Sequence, residues 1–121
     1  MYAMLYFTAK DMTDASRIAR HLVGKRLIAC ANVFPVRSIY RWKGKVQDET
    51  EAAAVCKTRK AAVKRAIAEA KKVHGYEVPC IVSYDMGTAL AAYARWIDAE
   101  TAARASGSPR RRSRPPSPGR S

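Results

Sequence analysis

The side chains best suited to chemistry in this sequence are soft ligands: the thiols of Cys30, Cys56 and Cys80, the imidazole of His74, and the thioethers of Met4, Met12 and Met86. Thiolate and imidazole favour copper or zinc over magnesium or calcium. These residues stand singly, so the fold or a neighbouring chain must gather them before any ion is held. There is no Cys-x-x-Cys pair, which argues against a zinc ribbon, and an odd number of cysteines argues against a disulfide framework and for a reducing compartment. Free cysteine is also among the most buried residue types, so Cys56 and Cys80 are expected to pack in the interior. Next to His74, the polar groups of Tyr76 and Glu77 could either move protons or order a turn. Nothing else reads as an enzyme: there is no Ser-His-Asp spacing, no pair of carboxylates marking a cleft and no phosphate-cradling glycine loop.

The elements that must position these residues follow from periodicity. Tyr2 to Thr8 is an apolar, aromatic-rich run of strand length. Ala15, Ile18, Ala19, Leu22 and Val23 then recur at helical spacing, with Asp11 or Thr13 to cap the start and Gly24 to stop the end. Leu27 to Lys57 reads as a ribbon of strands bent at Pro35 and turned at Gly44. Along it Tyr40 and Trp42 share one face, and Arg37, Arg41 and Lys43 share the other. The return strand starts with Asp48, Glu49 and Glu51, expected to be exposed, and ends in an alanine run that is a poor strand former by propensity. Strand is still the better reading, because Thr58 makes a good N-cap for the next helix, which carries Val63, Ala66, Ile67 and Ala70 inward and Arg59, Lys60, Lys64, Lys71 and Lys72 largely outward. A strand over Cys80 to Asp85 and a last helix from Ala89 to about Ala103, with Tyr93, Trp96 and Ile97 on its apolar stripe, complete the chain.

That order predicts an α+β fold, a ferredoxin-like βαββαβ sandwich with a long bent β-hairpin and an added C-terminal helix. The two crossover helices cover one face of the sheet. Because the strands are apolar at both parities, the other face is expected to be buried by self-association.

The chain of 121 residues has room for one domain, placed at residues 1–103. The formal charge is +13, but six arginines and no acids lie from Arg104 onward, so +7 belongs to the domain. Residues 104–121 carry no large apolar side chain and are expected to be a disordered basic tail, able at most to make weak, non-specific polyanion contacts. The basic face of the second helix reads as solubility, since no aromatic residues interleave it. No basic segment precedes the apolar N-terminus and no run reaches transmembrane length, so a soluble protein with no membrane partner is expected.

One resemblance covers about residues 2 to 101. Ser16-Arg17-Ile18-Ala19-Arg20, Leu22-Val23, Arg26-Leu27-Ile28-Ala29-Cys30-Ala31-Asn32, Ser38-Ile39-Tyr40-Arg41-Trp42-Lys43-Gly44-Lys45, Glu51, Lys57-Thr58, His74-Gly75-Tyr76-Glu77-Val78-Pro79 and Tyr93-Ala94-Arg95-Trp96-Ile97 stand in the order and spacing of the CutA family of divalent-cation tolerance proteins. The resemblance implies a cytoplasmic homotrimer, similar in shape to PII signalling proteins, whose long hairpins clasp neighbouring subunits, and an association with copper and other divalent metal ions. It makes Cys30, joined by His74, the first candidate for a copper ligand. It also implies an intersubunit cleft near Tyr40, Trp42, Lys57, His74, Tyr76 and Glu77. As an alternative to metal tolerance, that cleft would make the protein a PII-like signalling or adaptor trimer holding a small anionic ligand or a partner protein. The chain departs from the family pattern at Gly75, where proline is usual, and at Lys43 and Cys80, where acids are common. At Cys80 a soft sulfur replaces a hard oxygen.

Overall fold

The first strand sits inside the sheet, and its alternation shows why. In the computed structural model, which describes residues 1–102, β1 (Tyr2–Ala9) turns Ala3, Leu5, Phe7 and Ala9 into the interior on one face, while Tyr2, Met4 and Tyr6 are half-buried on the other. It pairs antiparallel with β3 (Lys45–Arg59) on one side and β4 (Ile81–Asp85) on the other. β2 (Cys30–Trp42) pairs with β3 at the outer edge, so the strand order is β2-β3-β1-β4. This is the ferredoxin-like order. The helices α1 (Met12–Gly24) and α2 (Val63–Val73) pack on the first face, where Leu5, Phe7, Ala54 and Cys56 meet Ile18, Leu22, Leu27, Ile28, Ala66 and Ala70 in one core.

The alanine run is strand because tertiary context overrides propensity. Ala52, Ala53 and Ala54 are fully buried in β3, flanked by β1 and β2, and the small side chains of Ala52 and Ala54 let the helices come close to the sheet.

Several local expectations are corrected. Pro35 does not divide the ribbon: β2 runs unbroken through it, as an edge strand allows. The expected N-cap Thr58 lies within β3, fully buried, and its hydroxyl donates to the Leu27 carbonyl at 2.7 Å; a 3-10 turn (Lys60–Ala62) leads into α2 instead. Asp11 is the cap of α1, accepting from the Asp14 N–H at 2.8 Å. α1 ends at Gly24 as expected, but that glycine is not the left-handed residue that closes the helix. The left-handed residue is Arg26, at φ 60°, and the bonds Leu27 N–H to Leu22 and Arg26 N–H to Val23 close a Schellman motif. Arginine holds that position because its guanidinium also donates to the carbonyls of Ala99 and Ala102 at the end of the last helix.

That last helix, α3 (Ala91–Thr101), changes the picture of the second sheet face. It lies over the end of the face carrying Tyr2, Cys30 and Arg59: the Tyr2 hydroxyl donates to Asp98, the Cys30 thiol meets the Tyr93 hydroxyl at 3.3 Å, and Arg59 bonds Thr101. Ile97 and Thr101 are fully buried. The face is therefore half covered by the chain's own helix. Phe34, Val82 and Tyr84 stay exposed on the same face, and the end away from α3 holds the site described next. The expected basic tail at 104–121 lies outside the described residues.

Candidate functional site

β1 stops pairing with β3 at Ala9 and Ala52, so residues 36–42 and 45–51 continue as a two-stranded ribbon beyond the sheet. The ribbon turns at Lys43 and Gly44, whose φ values of 51° and 80° are those of a tight hairpin turn with both central residues left-handed. That turn sets the register. Tyr40 lies opposite Gln47 and Val36 opposite Glu51, so Tyr40, Trp42, Glu49 and Glu51 share one face of the ribbon.

Beneath that face lies a groove of about 550 Å³, lined by Thr8, Tyr40, Trp42, Glu49, Glu51, Tyr76, Glu77, Val78 and Cys80. Three carboxylates and three aromatic rings line it, and among the described residues no lysine or arginine does. Glu51 is its centre. Only 5% of its surface is exposed, and the Tyr76 hydroxyl donates to its Oε2 at 2.5 Å. Among the described residues no cation pairs with it. Burial, then the Glu51 carboxylate, pushes the Tyr76 phenol far above its ordinary range, so Tyr76 is a fixed donor. Nearer the tip, the Tyr40 hydroxyl donates to Glu49 Oε1 at 2.9 Å, and that bond raises the Tyr40 phenol as well.

His74 stands behind Tyr76 without lining the groove. A backbone carbonyl can only accept, so at 2.7 Å from the Thr8 oxygen His74 Nε2 carries the proton. An amide can only donate, so Nδ1 is the bare nitrogen and accepts from the Tyr76 N–H at 3.1 Å. With its ring 4.8 Å from that of Tyr76, His74 ties the loop after α2 to β1 and aims the Tyr76 hydroxyl at Glu51. Both ring nitrogens are thus spoken for.

The groove brings together Tyr40, Trp42, Tyr76 and Glu77 from the expected cleft. Lys57 is not among them; it stands opposite Cys30 on the half of the face beneath α3 and donates to Asn32 Oδ1. Nor do Cys30 and His74 meet. Cys30 lies in the row of Lys57 and Met4, while His74 binds Thr8, four residues further along β1, roughly 13 Å by strand rise. Cys56 packs in the core as expected, its thiol pushed up to about 12 by burial. Cys80 does not pack: it is exposed at the groove, its thiol raised by partial burial and by Glu51. Glu51, expected at an exposed strand start, is among the most buried polar residues. Carrying the register outward from the Lys43-Gly44 turn would have aligned Tyr40, Glu49 and Glu51 on one face from sequence alone.

Residues 3–100 match the family model described as CutA1 divalent ion tolerance protein. The chain belongs to the CutA family. The divalent-cation tolerance protein CutA of Archaeoglobus fulgidus is 38% identical over 98 residues, 81% of this chain and 96% of that one. The human protein CutA is 33% identical over 93 residues, 76% of this chain and 52% of the longer human sequence. Among solved structures, that of the periplasmic divalent cation tolerance protein CutA from Archaeoglobus fulgidus superposes with a TM-score of 0.81 at 37% identity, covering 84% of this chain and 99% of that one. CutA1 from Pyrococcus horikoshii superposes with a TM-score of 0.79 at 32% identity, covering 82% of this chain and 97% of that one. The four-stranded sheet with three helices is the CutA fold.

The family's association with divalent cations sets a test for the donor set. The groove supplies carboxylate oxygens and one thiol, a mixture that suits a borderline ion such as copper or zinc. Among the described residues, however, no three His, Cys, Asp or Glu side chains are placed to hold one metal ion together. One chain offers an attractive field and part of a coordination shell, not a closed site.

Proposed function

We propose that this chain is a divalent-cation tolerance protein that works as a cytoplasmic homotrimer and binds divalent metal ions, copper among them, at the groove under its hairpin. The observation that carries the reading is Glu51: a carboxylate 5% exposed, held by a tyrosine and lacking a cationic partner among the described residues. A buried anion without a counter-charge is unfavourable unless a cation completes it. Glu49, Glu77 and the Cys80 thiol stand around the same space. Water or a neighbouring subunit would complete the coordination shell. Cys30 then serves packing against Tyr93, and His74 positions Tyr76, rather than either acting as a copper ligand.

Assembly is supported by the apolar side chains that α3 leaves uncovered on the second face, where Phe34, Val82 and Tyr84 are 39%, 37% and 55% exposed. Three free thiols suit a reducing compartment. No helix among the described residues is long and apolar enough to cross a membrane. The role proposed is binding, not catalysis. A groove lined by three carboxylates and, among the described residues, by no lysine or arginine favours a cation over an anion as its ligand.

The test is calorimetric titration of the full chain with copper and zinc salts, with light scattering for assembly mass. Glu51→Gln and Cys80→Ser are expected to weaken copper binding at least tenfold with three chain masses retained, while Cys30→Ser leaves it unchanged. Copper affinity that survives Glu51→Gln and disappears with Cys30→Ser would return the site to the α3 end of the sheet.

A further inference from the structure

The groove is larger than a metal ion alone needs, and its aromatic and aliphatic walls give such an ion nothing to bind. A bare ion fills a small fraction of about 550 Å³ and draws nothing from Trp42, Tyr40, Tyr76 or Val78. The carboxylates are also spread out. Glu49 and Glu51 alternate on one face of β3, so their α-carbons stand roughly 7 Å apart by strand rise, and no three donors converge among the described residues. A ligand that satisfies both acids at once has two separated positive charges joined by an apolar body.

We propose that the groove is a receptor for an organic cation, an aliphatic diamine or polyamine. The inference rests on the reading of the groove as a cation site but assigns it a different occupant. One ammonium is held by Glu51, whose Oε2 is fixed by Tyr76 and whose other oxygen accepts from the ligand. A four-carbon chain then reaches Glu49, one of whose oxygens is likewise fixed, by Tyr40. The tyrosine hydroxyls hold each carboxylate in place before the ligand arrives, so little ordering remains to oppose binding. The methylenes lie along the aromatic walls and Val78.

A second observation points the same way. The Nζ of Lys43, an alkylammonium, already sits 5.7 Å from the centroid of the Trp42 ring. The indole at the rim is therefore placed to attract ammonium groups through its face. The net charge of +13 does not oppose this, because among the described residues no lysine or arginine lines the groove and fields are screened over about 8 Å at physiological salt.

The experiment titrates the full chain with 1,4-diaminobutane at pH 7, followed by calorimetry and by tryptophan fluorescence, with 1-aminobutane and magnesium chloride as controls and copper chloride in parallel. Saturable diamine binding is expected, at least tenfold tighter than that of the monoamine, with the fluorescence change abolished by Trp42→Phe. Glu51→Gln is expected to weaken the diamine at least tenfold. Exposed Glu49→Gln, which endangers no core contact, is expected to erase the preference for diamine over monoamine. Absence of saturable diamine binding, or a diamine affinity that both glutamine variants leave unchanged, overturns the proposal. Copper binding without diamine binding sinks this inference and leaves the metal reading standing; diamine binding without copper binding does the reverse.

Discussion

Replacing Tyr76 with phenylalanine removes one oxygen atom and separates two roles of the groove. The hydroxyl donates at 2.5 Å to a carboxylate that is 5% exposed, so the bond is charge-assisted and poorly replaced by water. Bonds to charged groups contribute about 1.5–3 kcal/mol, against about 1 for a neutral pair. Tyr76→Phe should therefore destabilise the protein by about 2 kcal/mol. Glu51→Gln keeps an acceptor for the hydroxyl and relieves a buried charge, so the unliganded protein should be as stable as wild type or more so. In the Glu51→Gln background, Tyr76→Phe should cost only about 1 kcal/mol, because the bond it removes is then neutral. The assay is guanidinium unfolding of all four proteins at one fixed protomer concentration, since assembly contributes to apparent stability. Equal costs of Tyr76→Phe in both backgrounds would refute a charge-assisted bond, and a marked loss of stability in Glu51→Gln alone would refute the claim that the acid is kept for binding.

Three further outcomes follow from single residues. Burial pushes the Cys56 thiol from 9.0 to about 12, so the folded state holds a proton that the unfolded chain releases; this contribution is whole below pH 9 and is lost as pH rises toward about 12, and a pH series of unfolding curves should show stability falling across that window in wild type but less in Cys56→Ala. Native-state labelling with a maleimide should modify exposed Cys80 first and leave Cys56 untouched until the chain unfolds. Lys43 occupies a left-handed turn position at φ 51°, where asparagine is better tolerated, so Lys43→Asn should stabilise the hairpin by roughly 0.5–1 kcal/mol, read as a raised unfolding midpoint.

Element types were largely legible in the sequence, and positions within elements were less so. The helical stripe of α1 and the alternation of β1 follow from periods of 3.6 and 2, which any chain must obey to bury one face. Arg26 as the left-handed stop was not legible, because what holds arginine there is a bond to the end of α3, 73 positions further along the chain. The placement of α3 over the second sheet face escaped for the same reason: its stripe fixed that a face was apolar, not which surface it would cover. At the site, the aromatic rings and Glu77 could be read, and Glu49 and Glu51 were missed. Glu49 and Glu51 look like a solvated strand start until the register of the hairpin turns them under the ribbon with Tyr40.

The most direct measurement is the position of bound copper in crystals of the full chain, located from its anomalous scattering. The account predicts a peak in the groove at bonding distance, about 2.0–2.3 Å, from the Glu51 carboxylate or the Cys80 sulfur. A peak on the Cys30 sulfur beneath α3, with the groove empty of metal, would contradict it.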